Sequence, residues 1–182
     1  MNKTKAFGFT NAAGKLFYTF ITVALSILLP QIFHALGVLS GLGAGLGTAL
    51  LPMQIPVILS GFLFGPAVGL VSGILSPLLS FAISGMPGPA VLPFITIELA
   101  AYGVCSGWIS KFKLNTYLQL LIVQIAGRLF RIAAFAASVF VLDNGRLSAN
   151  SVFSFIGAGL FGIVLQLALI PLLKEKLEEL KR

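Results

Sequence analysis

The sequence predicts an all-α integral membrane protein, a compact bundle of six transmembrane helices in a single domain. Of its 182 residues, 58% are hydrophobic and only 9% are charged, and the mean hydropathy is +1.04. These values lie well outside the range of water-soluble globular domains. A hydrocarbon layer of about 30 Å takes about 20 helical residues to cross, so the chain has room for roughly six spans with short connections.

Long apolar runs bounded by glycine, proline or charge predict where the helices lie. The first run is long and has no clear cleavage pattern of small residues, so we interpret it as a membrane helix and not as a signal peptide. The second and third runs are separated only by Gly65-Pro66, which predicts a tight hairpin. After Pro171 charges alternate with leucine, which is typical of a helix leaving the bilayer. The six runs are 16–36, 48–64, 67–84, 90–110, 115–142 and 150–173.

The formal net charge of +7 raises the question of nucleic acid, but the positions of the basic residues indicate membrane topology instead. With the N-terminus in the cytoplasm, six crossings leave Lys111, Lys113 and the lysine-rich C-terminal tail inside. Only Arg146 among the loop basics is then outside, whereas the opposite orientation would export nine basic residues. We therefore predict that both termini are cytoplasmic.

Three ionisable side chains lie within apolar runs, where charge is costly and by default marks a binding or transport site. They are Glu98 in the fourth predicted helix and Arg128 and Arg131 in the fifth. Glu98 and Arg131 lie about eight and eleven residues from the outer ends, roughly 12–16 Å deep. Both charges therefore fall in the outer half of the membrane.

Helical spacing adds polar neighbours to these charges. Gln124 stands four residues before Arg128 on one stripe of the fifth helix, and Tyr102 stands four residues after Glu98 on the fourth. We expect the two stripes to line one pocket. Further candidates for its wall are Gln31, His34, Gln54 and, in the outer loop around Asp143 to Arg146, Asn144.

Two interpretations of the charges remain open. An ion pair between Glu98 and either Arg128 or Arg131 would hold two helices together. A single carboxylate cannot neutralise two arginines, however, so the second guanidinium would suit the carboxylate of a substrate.

Small residues give a second pattern. Gly61, Gly65, Gly69 and Gly73 recur every four residues, and Thr22 and Ser26 have the same spacing in the first helix. Such spacing lets helices approach closely in lipid. It predicts either internal packing or a docking surface for another membrane subunit.

Catalytic patterns are absent from the sequence. It has one histidine, no His-Glu-x-x-His motif, no Walker-type phosphate loop and no Gly-x-Ser-x-Gly elbow. Cys105 is the only cysteine, so neither a disulfide nor a cysteine-based metal site is available. We expect no enzymatic activity and no cofactor or metal, and any energy source must come from partners or from a gradient.

The order of motifs along residues 16–142 resembles the substrate-binding S components of energy-coupling factor (ECF) transporters, while the sixth helix fits only in length. The motifs are LPMQIPV at 51–57, GFLFGP at 61–66, Gly69, Gly73, SPLLS at 76–80, GMP at 85–87 and ELAAYG at 98–103. The resemblance implies a six-helix protein of a prokaryotic cell membrane with both ends in the cytoplasm. It also implies high-affinity capture of a vitamin or related micronutrient on the outside.

Further expectations follow from the same resemblance. Outer loops around 37–53, 85–89 and 143–150 would close the site. The first three helices would dock on a transmembrane coupling protein driven by two cytoplasmic ATPases, and the loaded subunit would topple in the membrane to deliver its cargo.

Three functional hypotheses follow from these patterns. The first is a vitamin-binding subunit with Glu98, Tyr102, Arg128 and Arg131 as its main contacts, for a niacin, pantothenate or pyridoxine type of molecule. The second is a stand-alone secondary transporter or channel in which Glu98 is the proton-linked group. The third is a structural membrane subunit that binds nothing small.

Overall fold

The computed structural model describes residues 11–41, 52–140 and 160–179, and within these ranges it contains six α-helices and no strand. The all-helical fold class is therefore confirmed. In chain order the helices are α1 Ala12–Leu39, α2 Gln54–Phe64, α3 Pro66–Ser84, α4 Leu92–Ile109, α5 Thr116–Phe140 and α6 Leu160–Glu179.

Four of these helices are long and apolar enough to cross a membrane. They are α1, α3, α4 and the part of α5 from Thr116 to Ser138. The α2 helix is apolar but has only 11 residues, which is a length of about 16 Å at 1.5 Å per residue. The helices indicate a membrane-embedded protein, and six crossings remain a prediction.

The start of α2 differs from the predicted start of the second helix. The structure has a turn at Pro52 and Met53 and begins the helix at Gln54, whereas residues 48–51 lie outside the described ranges. Pro56 explains the boundary. It has no backbone N–H, so it fits the first helical turn but could not bond to the carbonyl of Pro52 in a helix that began earlier.

The α2–α3 hairpin forms at Gly65-Pro66, as predicted. Gly65 has a φ of +96°, which a side chain would oppose, and Pro66 occupies the first turn of α3. The hairpin then packs against α4 backbone to backbone. A Cβ added to Gly69 would lie 2.2 Å from the carbonyl oxygen of Gly103, and one added to Gly73 would lie 2.4 Å from that of Leu99.

Internal packing accounts for three of the four glycines of the pattern. Gly61 faces Ser106 of α4 just as closely, and Gly65 lies against Gly107. Of the predicted docking positions, Gly61, Gly69 and Gly73 are therefore used in packing within the chain, whereas a Cβ added to Gly65 would meet nothing within 4 Å. Docking of another membrane subunit at these positions stays a prediction.

The small residues of α1 are also turned inward. Thr22 and Ser26 are buried, and Thr22 donates a hydrogen bond to the carbonyl of Tyr18 at 2.7 Å. The helix packs against α2 and α3, with Tyr18 stacked on Phe64. The opposite face of α1 carries large exposed apolar side chains, which suit contact with lipid or with another membrane protein: Phe17, Phe20, Leu25, Leu28 and Leu36.

Successive helices alternate in direction, so the basic side chains meet at one end of the bundle. The start of α1 lies beside the end of α2 through Tyr18 and Phe64. The end of α6 lies beside the start of α5, because Lys174 Nζ donates to Gln119 Oε1 at 3.0 Å and to Thr116 Oγ1 at 3.4 Å. We call this the basic end, and it holds Lys15, Lys111, Lys113, Lys174 and Lys176.

Lys174 itself is an unexpected finding, because the sequence predicts a solvated tail after Pro171. Only 8% of the residue is exposed, and its ammonium group lies 4.7 Å from the centre of the Phe62 ring. Gln119 in turn donates to the carbonyl of Phe112 at 2.9 Å. The side chain thus connects α6 with α2 and α5 at the basic end.

Candidate functional site

Glu98 lies at the centre of a charged cluster between α4 and α5. The Arg131 Nη1 atom is 2.8 Å from Glu98 Oε2, and the Arg128 Nε atom is 3.4 Å from Glu98 Oε1. Both predicted ion-pair partners therefore contact the same carboxylate, and each of its oxygens faces one guanidinium. The carboxylate lies about 9 Å along α4 from Leu92, at 1.5 Å per residue, on the side of the bundle away from the basic end.

Tyr102 completes the cluster from one turn further along α4. Its hydroxyl donates a hydrogen bond to Glu98 Oε1 at 3.0 Å, and both residues are completely buried. The phenol ring fits there because Gly127 of α5 has no side chain, and a Cβ at that position would lie 2.2 Å from the ring. The predicted stripes Glu98–Tyr102 and Gln124–Arg128–Arg131 therefore do face each other.

Among the described residues, the ion pairs of this cluster join two positive charges to one negative charge. Two guanidinium groups and one carboxylate carry a net charge of plus one, since two positive charges meet one negative charge. Glu98 is fully buried, whereas 16% of the Arg128 side chain and 11% of the Arg131 side chain are exposed. The arginines therefore form the accessible side of the cluster, and the carboxylate forms its buried side.

An aromatic pair lies one helical turn beyond the charges, away from the basic end. Phe94 precedes Glu98 by four residues and Phe135 follows Arg131 by four, and their ring centres are 5.3 Å apart. Both rings are buried. On the other side, towards the basic end, Tyr102 packs with Leu120 and Val123 in the apolar core. The cluster is thus enclosed by apolar side chains along the bundle axis, which strengthens its electrostatic interactions.

A chain of buried amides runs beside the cluster and joins three helices. Gln124 of α5 donates to Gln166 of α6, and Gln166 Nε2 donates to Gln54 Oε1 of α2 at 2.9 Å. The predicted wall residues Gln54 and Gln124 therefore belong to one polar network. Sequence reasoning missed Gln166, although a lone amide within the apolar run 150–173 was the signal that would have pointed to it.

The remaining predicted contact residues lie on α1 or outside the described residues. Gln31 and His34 are half-buried positions of α1, a helix that packs mainly on α2 and α3 and not on α4 or α5. Asn144 lies outside the described residues, as do all of residues 42–51 and 141–159. Within the described part of the chain, no three His, Cys, Asp or Glu side chains come close enough together to hold a metal ion.

The geometry can hold a small anion. Each guanidinium group carries its N–H donors in one plane, a geometry that matches the two oxygens of a carboxylate. Tyr102 and Phe94 add aromatic surface within one turn of the charges. Comparison of the chain with protein-family models, with curated proteins and with solved structures gave no match.

Proposed function

We propose that this chain is the substrate-binding S component of an ECF-type importer, and that it captures a small water-soluble vitamin or related micronutrient bearing a carboxylate. The observation that carries the proposal is the net positive cluster of Glu98, Arg128 and Arg131 inside an apolar helical bundle. Charged groups at membrane depth are expensive and are retained mainly where they act on a ligand or an ion.

The partial exposure of the two arginines supports a ligand that approaches the cluster from their side and not from the side of Glu98. Their guanidinium groups are reachable, whereas Glu98 is not. An incoming carboxylate would therefore meet Arg128 and Arg131 first and share them with Glu98. Glu98 and Tyr102 hold the arginines in place before the ligand arrives, which lowers the entropy lost on binding.

The arrangement of the basic residues supports the proposed orientation. Lys15, Lys111 and Lys113 lie at the same end of the bundle as Lys174 and Lys176, and cytoplasmic ends of membrane proteins are enriched in such residues. The cluster then lies in the outer half of a prokaryotic plasma membrane. The motif resemblance supplies the partners, a transmembrane coupling protein and two cytoplasmic ATPases, and the apolar outer face of α1 is available for such a contact.

One observation favours a second candidate, a stand-alone transporter coupled to protons. Glu98 is a fully buried carboxylate that accepts a hydrogen bond from Tyr102, and buried carboxylates act as proton relays in such proteins. This candidate takes its energy from a proton gradient and not from ATPases. It therefore predicts uptake into vesicles that contain only this chain.

Binding of nicotinate, pantothenate and pyridoxine to the purified full chain tests the proposal. A ligand that binds only the folded state stabilises it by about 2.7 kcal/mol when the free ligand concentration is a hundred times its Kd. The unfolding temperature rises as a result. We expect stabilisation by at least one of the two acids, and uptake into vesicles only when the coupling protein and ATPases are present. No stabilisation by any member of an extended vitamin panel would contradict the proposal, and uptake by the chain alone would favour the proton-coupled candidate.

A further inference from the structure

A buried acceptor lies beside the charged cluster and has no donor among the described residues. It is Oε1 of Gln124, on a side chain that is almost completely buried. The amide nitrogen of Gln124 is already used, because it donates to Gln166, which in turn donates to Gln54. Because each amide in this chain donates to the next one, the carbonyl oxygen of Gln124 is still able to accept a hydrogen bond from another group.

The position of Gln124 relates this acceptor to the arginines. It precedes Arg128 by four residues and Arg131 by seven, so the three side chains share one face of α5. Four residues correspond to a rise of about 6 Å along the helix. Gly127, where the ring of Tyr102 packs directly on the backbone, lies about 60° around the helix to one side of Gln124, whereas Arg128 lies about 40° to the other side.

The proposed function supplies a carboxylate for the arginines, and the following inference rests on it. We propose that the cargo is a small carboxylic acid that also carries an N–H or O–H donor about one helical turn, roughly 6 Å, from its carboxylate. The carboxylate binds Arg128 and Arg131, and the donor binds Oε1 of Gln124. An acid without the donor leaves a buried acceptor unpaired, which sites built for hydrogen bonding strongly reject.

This requirement separates the candidate acids. A hydroxy acid or an amide-bearing acid of the pantothenate type carries both groups. A nicotinate type does not, because its ring nitrogen is an acceptor and would face another acceptor at Gln124. The same distinction can be made with simple aromatic acids, since 4-aminobenzoate and 4-methylbenzoate have nearly the same shape and differ in the donor opposite the carboxylate.

Calorimetric titration of the wild-type full chain with these two probes tests the inference without any variant. We expect 4-aminobenzoate to bind at least about ten times more tightly than 4-methylbenzoate, as a buried hydrogen bond requires. Pantothenate should likewise bind more tightly than nicotinate. Equal affinities for 4-aminobenzoate and 4-methylbenzoate, or a preference for the methyl compound, would overturn the donor requirement.

Gln124→Met then tests whether Gln124 causes the preference for 4-aminobenzoate over 4-methylbenzoate. The substitution keeps the length of the side chain and removes both the acceptor and the N–H group that donates to Gln166. We expect it to abolish the difference between the two probes while it changes the affinity for 4-methylbenzoate by less than about threefold. Persistence of the full preference in Gln124→Met would show that another group accepts from the ligand and would refute the assignment.

The failure of this inference is distinguishable from failure of the proposed function. If both probes bind with equal affinity and both lose affinity in Arg128→Ala, the carboxylate site stands and the donor requirement is wrong. If neither probe binds, and pantothenate and nicotinate do not bind either, the proposed capture of an acid is contradicted and the donor requirement falls with it.

Discussion

The two faces of α4 are built in opposite ways. One face meets α2 and α3 through glycines, so closely that no methyl group fits at Gly69 or Gly103. The other face meets α5 through long polar side chains, with Glu98 between Arg128 and Arg131. Backbones in direct contact have only one good arrangement, whereas long charged side chains can exchange partners. The difference indicates that the glycine face fixes the scaffold and that the charged face is the one suited to act on a ligand.

The largest expected effect is on the glycine face. In Gly69→Val the new Cβ would meet the carbonyl oxygen of Gly103 at 2.2 Å, so α3 and α4 must separate. Overpacking of this kind costs about 1–3 kcal/mol and more where backbone must move. We expect loss of the monodisperse folded species in size-exclusion chromatography. Gly88→Ala is the matched control, because nothing lies within 4 Å of its added Cβ, and an unchanged Gly69→Val protein would contradict the packing described.

Removal of Glu98 should have the next largest effect. Glu98→Ala takes away the carboxylate that both arginines contact, and breaking a buried ion pair from one side costs about 3–5 kcal/mol. Thermal unfolding in detergent measures the loss. If the cluster binds the carboxylate of a ligand, an added carboxylic acid restores part of the stability because it enters the same place, whereas sodium chloride at equal ionic strength does not. Equal effects of acid and salt would argue for a purely structural ion pair.

Tyr102→Phe should have a smaller effect on the same face. It removes the hydrogen bond to Glu98 Oε1 and keeps the ring against Gly127. Hydrogen bonds to charged groups contribute about 1.5–3 kcal/mol. The unfolding temperature should fall accordingly, while Tyr117→Phe, at an exposed position of α5, should leave it unchanged. Equal unfolding temperatures for the two variants would show that the Tyr102 hydroxyl does not support the cluster.

The smallest expected effect is at the basic end, away from both faces of the comparison. Lys174→Met removes an ammonium group held by Gln119 and Thr116 and by the Phe62 ring. Because burial of the ammonium group costs desolvation energy that offsets much of its hydrogen bonding, we expect a net loss of only about 1 kcal/mol and unchanged ligand affinity. Lys176→Met, which changes an exposed lysine of the same helix, is the control. A large loss of affinity in Lys174→Met would link the basic end to the site.

Much of this arrangement could be predicted because lipid leaves few options for a charged or small side chain. Glu98 and Tyr102 share a helix face by spacing alone, and the single break at Gly65-Pro66 allowed only a hairpin. The pairing of helices could not be predicted. Nothing in the pattern of Gly61 to Gly73 says that α4 is its partner, and nothing at Gln124 says that Gln166, 42 residues away, lies beside it.

The direction in which a helix faces and the burial of a charge were equally hard to predict from the sequence. Gln31 and His34 fit the site by depth in the membrane, but depth does not determine the direction in which a helix faces, and α1 packs on α2 and α3. Lys174 looks like a tail residue because charge usually means solvent. The bundle instead provides Gln119 and Thr116 as acceptors at that depth, which only the folded chain reveals.

The central claim is that Arg128 and Arg131 bind the substrate. Its most direct test compares the affinity for carboxylic acids of two double variants of the purified chain, each of which lacks two positive charges. Arg128→Ala with Arg131→Ala removes the charges of the cluster, whereas Lys111→Ala with Lys113→Ala removes the same charge from exposed positions between α4 and α5. We predict that the arginine variant loses affinity by about a hundredfold or more, as expected for charge-assisted hydrogen bonds, and that the lysine variant binds like the wild type. Equal affinity in the two double variants would contradict the claim that these arginines bind the substrate.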